Sequence, residues 1–316
     1  MPLVMTAAED DSGRRLDRVL RKSMPDLPLS AIHRLLRKGA VMVDGETAAA
    51  DFRILPGQTI TIKSFSSETQ VYCAIKSGSA QEPEKKTAHD TLEILYEEKG
   101  IIILNKPSGL PVHGRNSLDD LVQSYLLPRL PSSLSFKPGP LHRLDRPCSG
   151  VIVFSTNIDG ARVFSALMRD GSVKKKYVAI AEGIIKKAQV WRDELIRDSK
   201  LKKTLNATET TKSHTSNNKI KTAITRVTPI KQNGLLTLFL ANIETGRTHQ
   251  IRSQAAAHGH PLWGDMKYGA GFRGNIMLHA WRLEIPEPFN LSIEAPIPEN
   301  FQKKNNELFG ITTVDL

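Results

Sequence analysis

Chemistry enters this sequence at one carboxylate. Asp145 stands in the run "LHRLDRPCSG", Leu141 to Gly150, between Arg143 and Arg146 and next to apolar, strand-like residues. Nearby positive charge favours the ionised form of an acid. The spacing therefore predicts a firmly anionic aspartate presented at the mouth of a fold. His142 and Ser149 lie close by, but a Ser-His-Asp hydrolase is not expected, because no Gly-x-Ser-x-Gly elbow occurs. His249, His258 and His260 lack the spacing of a metal-ligand set, and so do the two cysteines, Cys73 and Cys148. Neither a metal site nor a disulfide framework is expected, and two distant cysteines fit a reducing compartment.

The 316 residues leave room for roughly two domains of about 150 residues each. With 40% hydrophobic and 24% charged residues, a sizeable core can form. The net charge of +11 points to an anionic partner, and nucleic acid is the commonest one for a basic chain. The opening "MPLVMTAAEDDSGRR" lacks the charged and apolar regions of a secretory signal. No apolar run approaches the roughly 18 residues of a membrane helix. A cytoplasmic protein with no membrane partner is the expectation.

The elements that must hold Asp145 fall in two groups. Residues 12–63 read as a small basic α+β domain. In "SGRRLDRVLRK", Leu16, Val19 and Leu20 share a helical face. Ser30 is placed to cap a second helix with Ile32, Leu35 and Leu36 as its stripe, and Gly39 suits its stop. Strands then flank an Asp44-Gly45 turn and cover Thr59 to Ile62. Residues 64–90, rich in Ser, Glu, Lys and Ala, read as a linker. Residues 91–300 alternate strand-like runs with few helices, the clearest at 157–169 and after Gly246, so an α+β domain with a mixed, mainly antiparallel sheet is expected. The polar run from Asp198 to Lys221 reads as an exposed loop or hairpin, and 301–316 as a C-terminal tail.

Four stretches of the larger domain carry unusual polar content: "LNKPSGLPVHG", "LHRLDRPCSGVIVFS", "KKKYVAI" and "ETGRTHQIRSQAAAHGHPLWGDMKYG". Together and in this order they closely resemble the motifs of the RluA-type pseudouridine synthases. The first domain resembles the RNA-binding domain shared by a ribosomal small-subunit protein and many RNA-modifying enzymes. The resemblance implies a pseudouridine synthase fold and an isomerase that needs no metal or organic cofactor. The uridine's glycosidic bond breaks, the uracil turns within the site, and a carbon-carbon bond replaces the carbon-nitrogen one.

The resemblance also implies roles. Asp145 matches the essential aspartate, which either attacks the anomeric carbon or removes a proton from the neighbouring sugar carbon. Arg252 matches the arginine that pairs with it, and Tyr177 the tyrosine that stacks on the flipped base and helps a proton leave the ring carbon. Arg143 is associated with the displaced nucleotide, and Lys106 is expected near phosphate. Ile251 and Leu278 form the apolar wall around uracil, while His142 and Ser149 support the loop. Arg34, Arg37 and Lys38 extend from one helix, where they can span adjacent phosphates. Two positions depart from the pattern: Cys148 stands where threonine is usual, and Gln254 where histidine is common. RNA is the implied partner, ribosomal large-subunit RNA foremost and transfer RNA the alternative, with no obligate protein partner. A non-catalytic RNA-binding or ribosome-assembly protein is the rival class, and it would tolerate Asp145→Asn.

Overall fold

The structure, a computed structural model, describes residues 2–63, 92–198, 201–207 and 220–311. The linker expected at 64–90 lies outside these residues, as does most of the polar run before Lys221. Two compact units are present. The first comprises the described residues before Thr91 together with Leu121–Gly139 and Ser155–Ala161. The second comprises Leu92–Asp120, Pro140–Phe154 and the described residues from Arg162 onward.

In the first unit β1 (Leu3–Thr6), α1 (Leu16–Ser23), α2 (Leu29–Arg37), β2 (Val41–Val43), β3 (Glu46–Thr47) and β4 (Thr59–Ile62) form a four-stranded antiparallel sheet, order β1-β4-β2-β3, with two helices. The helical face expected in α1 is the buried one: Leu16, Val19 and Leu20 are inaccessible and join Ile32, Ile54, Ile60 and Ile62 in the core. Asp44 and Gly45 both take positive φ, as a tight hairpin of this twist requires.

Two expectations change. Ser30 does not cap α2: the helix starts at Leu29, and Pro28 occupies the cap with φ −59°, the value its ring imposes. The unit also begins before residue 12, because β1 pairs along its whole length with β4. Within this unit the inaccessible Asp11 carboxylate accepts five hydrogen bonds of 2.5 to 3.0 Å. The donors are the N–H groups of Ala8, Leu134 and Ser135 and the hydroxyls of Ser133 and Ser135. Burial opposes its ionisation, but these bonds outweigh burial and hold the carboxyl below the usual carboxylate range.

The remaining described elements are β5 (Ile94–Glu98), β6 (Ile101–Lys106), α3 (Leu118–Leu126), β7 (Gly139–Pro140), β8 (Ser149–Ser155), α4 (Ile158–Asp170), β9 (Lys174–Glu182), β10 (Gln189–Asp198), β11 (Lys203–Asn206), β12 (Lys221–Gln232), β13 (Leu236–Ile243), α5 (Gln250–Ala257), β14 (Leu278–Ile285), β15 (Leu291–Glu294) and α6 (Glu299–Phe309). The strands form an eleven-stranded sheet, order β11-β10-β12-β13-β9-β14-β8-β6-β5, with β15 beside β14 and β7 beside β8. It is mixed and mainly antiparallel, as expected, with β8 and β14 running parallel. The polar run expected as a loop or hairpin does pair in part, β11 lying antiparallel to β10. Part of the expected C-terminal tail is a packed helix, α6, whose Phe301 is buried with Val178, Ile180, Trp263 and Trp281.

Candidate active site

Strand alternation builds the floor of the site. On β9, Val178 and Ile180 point into the core with Trp263 and Trp281. Successive side chains alternate faces, so Lys175 and Tyr177 face the other way, into a cavity of about 260 Å³. Ala280 and Leu278 stand opposite Tyr177 and Ala179 on β14, which places Leu278 on that same face. Asp145 reaches the cavity from the turn before β8. That turn is pinned by Gly150: at φ +111° it lies so close to β14 that a Cβ would come within 2.1 Å of the Ala280 carbonyl oxygen, so no other residue fits. Arg143, Ile251 and Arg252 complete the wall, the last two from the first turn of α5.

At its centre is a chain of charges. Arg252 uses Nε and Nη2 to grip both oxygens of Asp265 at 2.6 and 2.8 Å, which leaves Nη1 to donate to Asp145 Oδ2 at 3.1 Å. The side chains of Arg252, Asp265 and Asp145 are 5%, 0% and 13% exposed, so these interactions operate largely out of water. Burial disfavours the guanidinium charge, but the two carboxylates outweigh that and raise its basicity further. The arginines beside Asp145 in sequence do not make this contact, which falls to Arg252 as the resemblance implies. Arg146 donates from Nε to the Gly109 carbonyl at 2.9 Å, and Arg143 is exposed and lines the cavity.

His249, in left-handed backbone at φ 54°, closes the far side. Its Nδ1 is 2.8 Å from the Tyr268 hydroxyl, which itself accepts the Thr204 N–H at 2.9 Å. The phenol's own hydrogen is thereby free to donate to Nδ1, which assigns the remaining ring proton to Nε2, 3.9 Å from Asp145 Oδ1. Burial, aided by Arg252, pushes the imidazole down to about 4, so a neutral N–H faces the carboxylate.

The supporting residues divide. His142 accepts the Val153 N–H at 3.1 Å and is pushed down to about 3 by burial, which ties the Asp145 segment to β8. Ser149 lies 2.8 Å from His279 Nδ1, whose other nitrogen faces the Ala295 carbonyl. Tyr177 is buried, and burial raises its hydroxyl far above the usual phenol range, so it stays neutral. Lys106 corrects an expectation. It is fully buried, and its Nζ donates to the carbonyls of Pro107, Leu110 and Arg146 at 2.8, 2.9 and 3.2 Å. Buried and with its ammonium held by three carbonyls, it is not presented to a phosphate at the surface. It staples one loop to the loop carrying Asp145, and burial lowers it to about 8.

The two departures are accommodated. Gln254 bonds to Asp193, Trp191, Ala223 and Thr225 in the interior. The Cys148 thiol is pushed up to about 12, chiefly by burial. Arg34, Arg37 and Lys38 lie exposed at the end of α2, in the first unit. Sequence reasoning gives Asp265, Tyr268 and His249 no role, although all three lie in the polar stretch "ETGRTHQIRSQAAAHGHPLWGDMKYG".

Comparison with known proteins follows the same lines. Residues 100–257, half of the chain, match the family model described as RNA pseudouridylate synthase. Ribosomal large subunit pseudouridine synthase C of Vibrio parahaemolyticus is 30% identical over 93% of this chain and 93% of its own. The protein of that name from Escherichia coli is 29% identical over 95% and 94%. The solved structure of human RNA pseudouridylate synthase domain containing 4 has a TM-score of 0.56 at 23% identity, covering 68% of this chain and 92% of that one. Human RNA pseudouridylate synthase domain containing 1 gives 0.56 at 21%, covering 72% and 91%. These two show the shared fold. Together, the matched model and the nearly end-to-end relatives establish that this chain belongs to the RNA pseudouridylate synthase family and is an isomerase.

Proposed function

We propose that this chain converts uridine to pseudouridine in large-subunit ribosomal RNA, with Asp145, Arg252 and Tyr177 as its working residues. The observation that carries the reading is Asp145 at the cavity wall, held by an arginine that is itself held by Asp265. The relatives' names supply the RNA. A uridine inside structured RNA must be extruded before its glycosidic carbon can meet a carboxylate. The Tyr177 ring, Ile251 and Leu278 line the space for the uracil, and Arg143 is exposed where the displaced strand arrives.

With the base in place, Asp145 either attacks C1′ and expels uracil as an anion, or takes a proton from C2′ with the same departure. Arg252 orients the carboxylate in both cases. The uracil turns and C5 bonds to C1′, either displacing the Asp145 carboxylate from C1′ or as C2′ regains the proton that Asp145 took; the hydrogen on C5 then leaves as a proton while N1 gains one, so substrate and product are isomers. The neutral Tyr177 hydroxyl suits stacking and hydrogen-bond donation. Exposed Arg34, Arg37 and Lys38 contact phosphates. No separate protein partner is required. We place the activity in the cytoplasm, where its RNA is made.

Purified protein should form pseudouridine in unmodified large-subunit ribosomal RNA, read by tritium release from C5 of labelled uridine. Asp145→Asn should abolish release while RNA binding persists. Failure of the wild type to release tritium, or full activity of the variant, would reject the proposal.

A further inference from the structure

Beside the catalytic cavity lies a second one of about 270 Å³. Gly246, Arg247 and Thr248 line both, so the two adjoin across one turn. Three cations line the second, Arg197, Lys221 and Arg247, and its described lining includes no carboxylate.

Strand register explains the cluster. Arg197 stands opposite Thr204 across β10 and β11, and Leu195, two residues earlier, stands opposite Lys221 across β10 and β12. Opposed residues and residues two apart share a sheet face, so all four point the same way. The Thr204 hydroxyl donates to the Thr248 carbonyl at 2.9 Å, which draws the turn before α5 over that face. Arg247 is fixed by donation from Nε to the Thr222 carbonyl at 2.9 Å.

Three like charges converge here with no carboxylate among the described lining residues, an arrangement that costs stability unless an anion answers it. Arg197 makes the point most directly. Its Nη1 is shielded from solvent and has no hydrogen-bond partner among the described residues, and a buried donor left unmade is unfavourable. The guanidinium fork matches the oxygens of a phosphate.

We infer that this second cavity receives a phosphodiester of the RNA strand adjoining the extruded uridine, with Arg197 donating its unpaired N–H and Lys221 and Arg247 supplying charge. The inference rests on the RNA-isomerase reading above. An anchored phosphate sets the register of the strand while the base turns next door. These residues therefore act on binding more than on the chemical step.

The test uses the full-length chain, its Arg197→Gln and Lys221→Gln variants, and an unmodified large-subunit ribosomal RNA transcript. Dissociation constants are measured from low to moderate KCl alongside steady-state tritium release. Losing one charged hydrogen bond should raise KM about tenfold in Arg197→Gln, with a much smaller fall in kcat. The slope of log affinity against log salt should shrink by about 0.7–0.9 in either variant, the share of a single neutralised phosphate. Unchanged slopes would overturn the inference, and so would a fall in kcat at constant KM. If Arg197→Gln melts early, the exposed Lys221→Gln decides by its slope alone. Wild-type protein that binds RNA without forming pseudouridine would defeat the activity reading instead, and the salt slopes would still report the phosphate site.

Discussion

Asp265→Asn removes one charge from the Asp145–Arg252–Asp265 chain and changes almost no volume. Asp265 is 1% exposed, so no water replaces the missing charge. In the wild type both its oxygens accept from Arg252, at 2.6 and 2.8 Å. An asparagine offers one oxygen and one amide, so one arginine N–H faces another donor. Removing a partner from a buried ion pair costs about 3–5 kcal/mol, and the lower end applies where one acceptor remains. At about 2–4 °C per kcal/mol for a unit of this size, the melting temperature should fall by roughly 6–12 °C. Activity should suffer separately. Arg252 would turn toward the surviving acceptor and Nη1 would leave Asp145, and a misplacement of about 1 Å costs on the order of 100-fold in rate. Calorimetric melts and tritium release on RNA measure the two effects. A variant with lowered melting temperature but wild-type kcat would show that Asp265 supports the fold and does not position Arg252 for catalysis, which would refute the reasoning.

Two further perturbations test the scaffold. Gly150→Ala puts a methyl 2.1 Å from the Ala280 carbonyl oxygen at φ +111°, so soluble yield and melting temperature should fall at least as far as in Asp265→Asn; a normal melt would mean that β8 and β14 can separate. For Lys106 the folded chain titrates near 8 against a usual 10.5. Below pH 8 both folded and unfolded chains carry the proton, and folding bears the full cost of burying it. Between about 8 and 10.5 the folded chain binds fewer protons, so wild-type stability should rise relative to Lys106→Met across that window. Urea titrations at pH 7 and pH 10 check this, and parallel behaviour of the two proteins would contradict it.

Regular patterning was legible from the residues: the α1 stripe, the Asp44-Gly45 hairpin and the strand-rich second half all appear in the fold. The site was legible as motifs, less so as geometry. Asp145 and Arg252 meet across 107 residues, a pairing that no local spacing encodes. Neighbours in the chain were a poor guide, because it is Arg252, and neither Arg143 nor Arg146, that donates to Asp145. Lys106 looked like a loop lysine, yet β6 is nearly continuously buried through that position, and three converging carbonyls make an interior ammonium tolerable. Asp265 and Tyr268 had no visible role because their partners, Arg252 and His249, come from another element. β1 is too short to announce itself without β4, and α6 owes its place to the burial of Phe301 more than to its own polar pattern.

The Asp11 knot bears on how the molecule can be divided. Ser133, Leu134 and Ser135 belong to a segment that the chain reaches only after it has already entered the second unit. A fragment begun beyond residue 63 would keep those hydroxyls and amides but lack the carboxylate that receives them. The amino-terminal unit is thus no detachable attachment, and a minimal catalytic fragment would have to supply a new acceptor for the four donors that face Asp11.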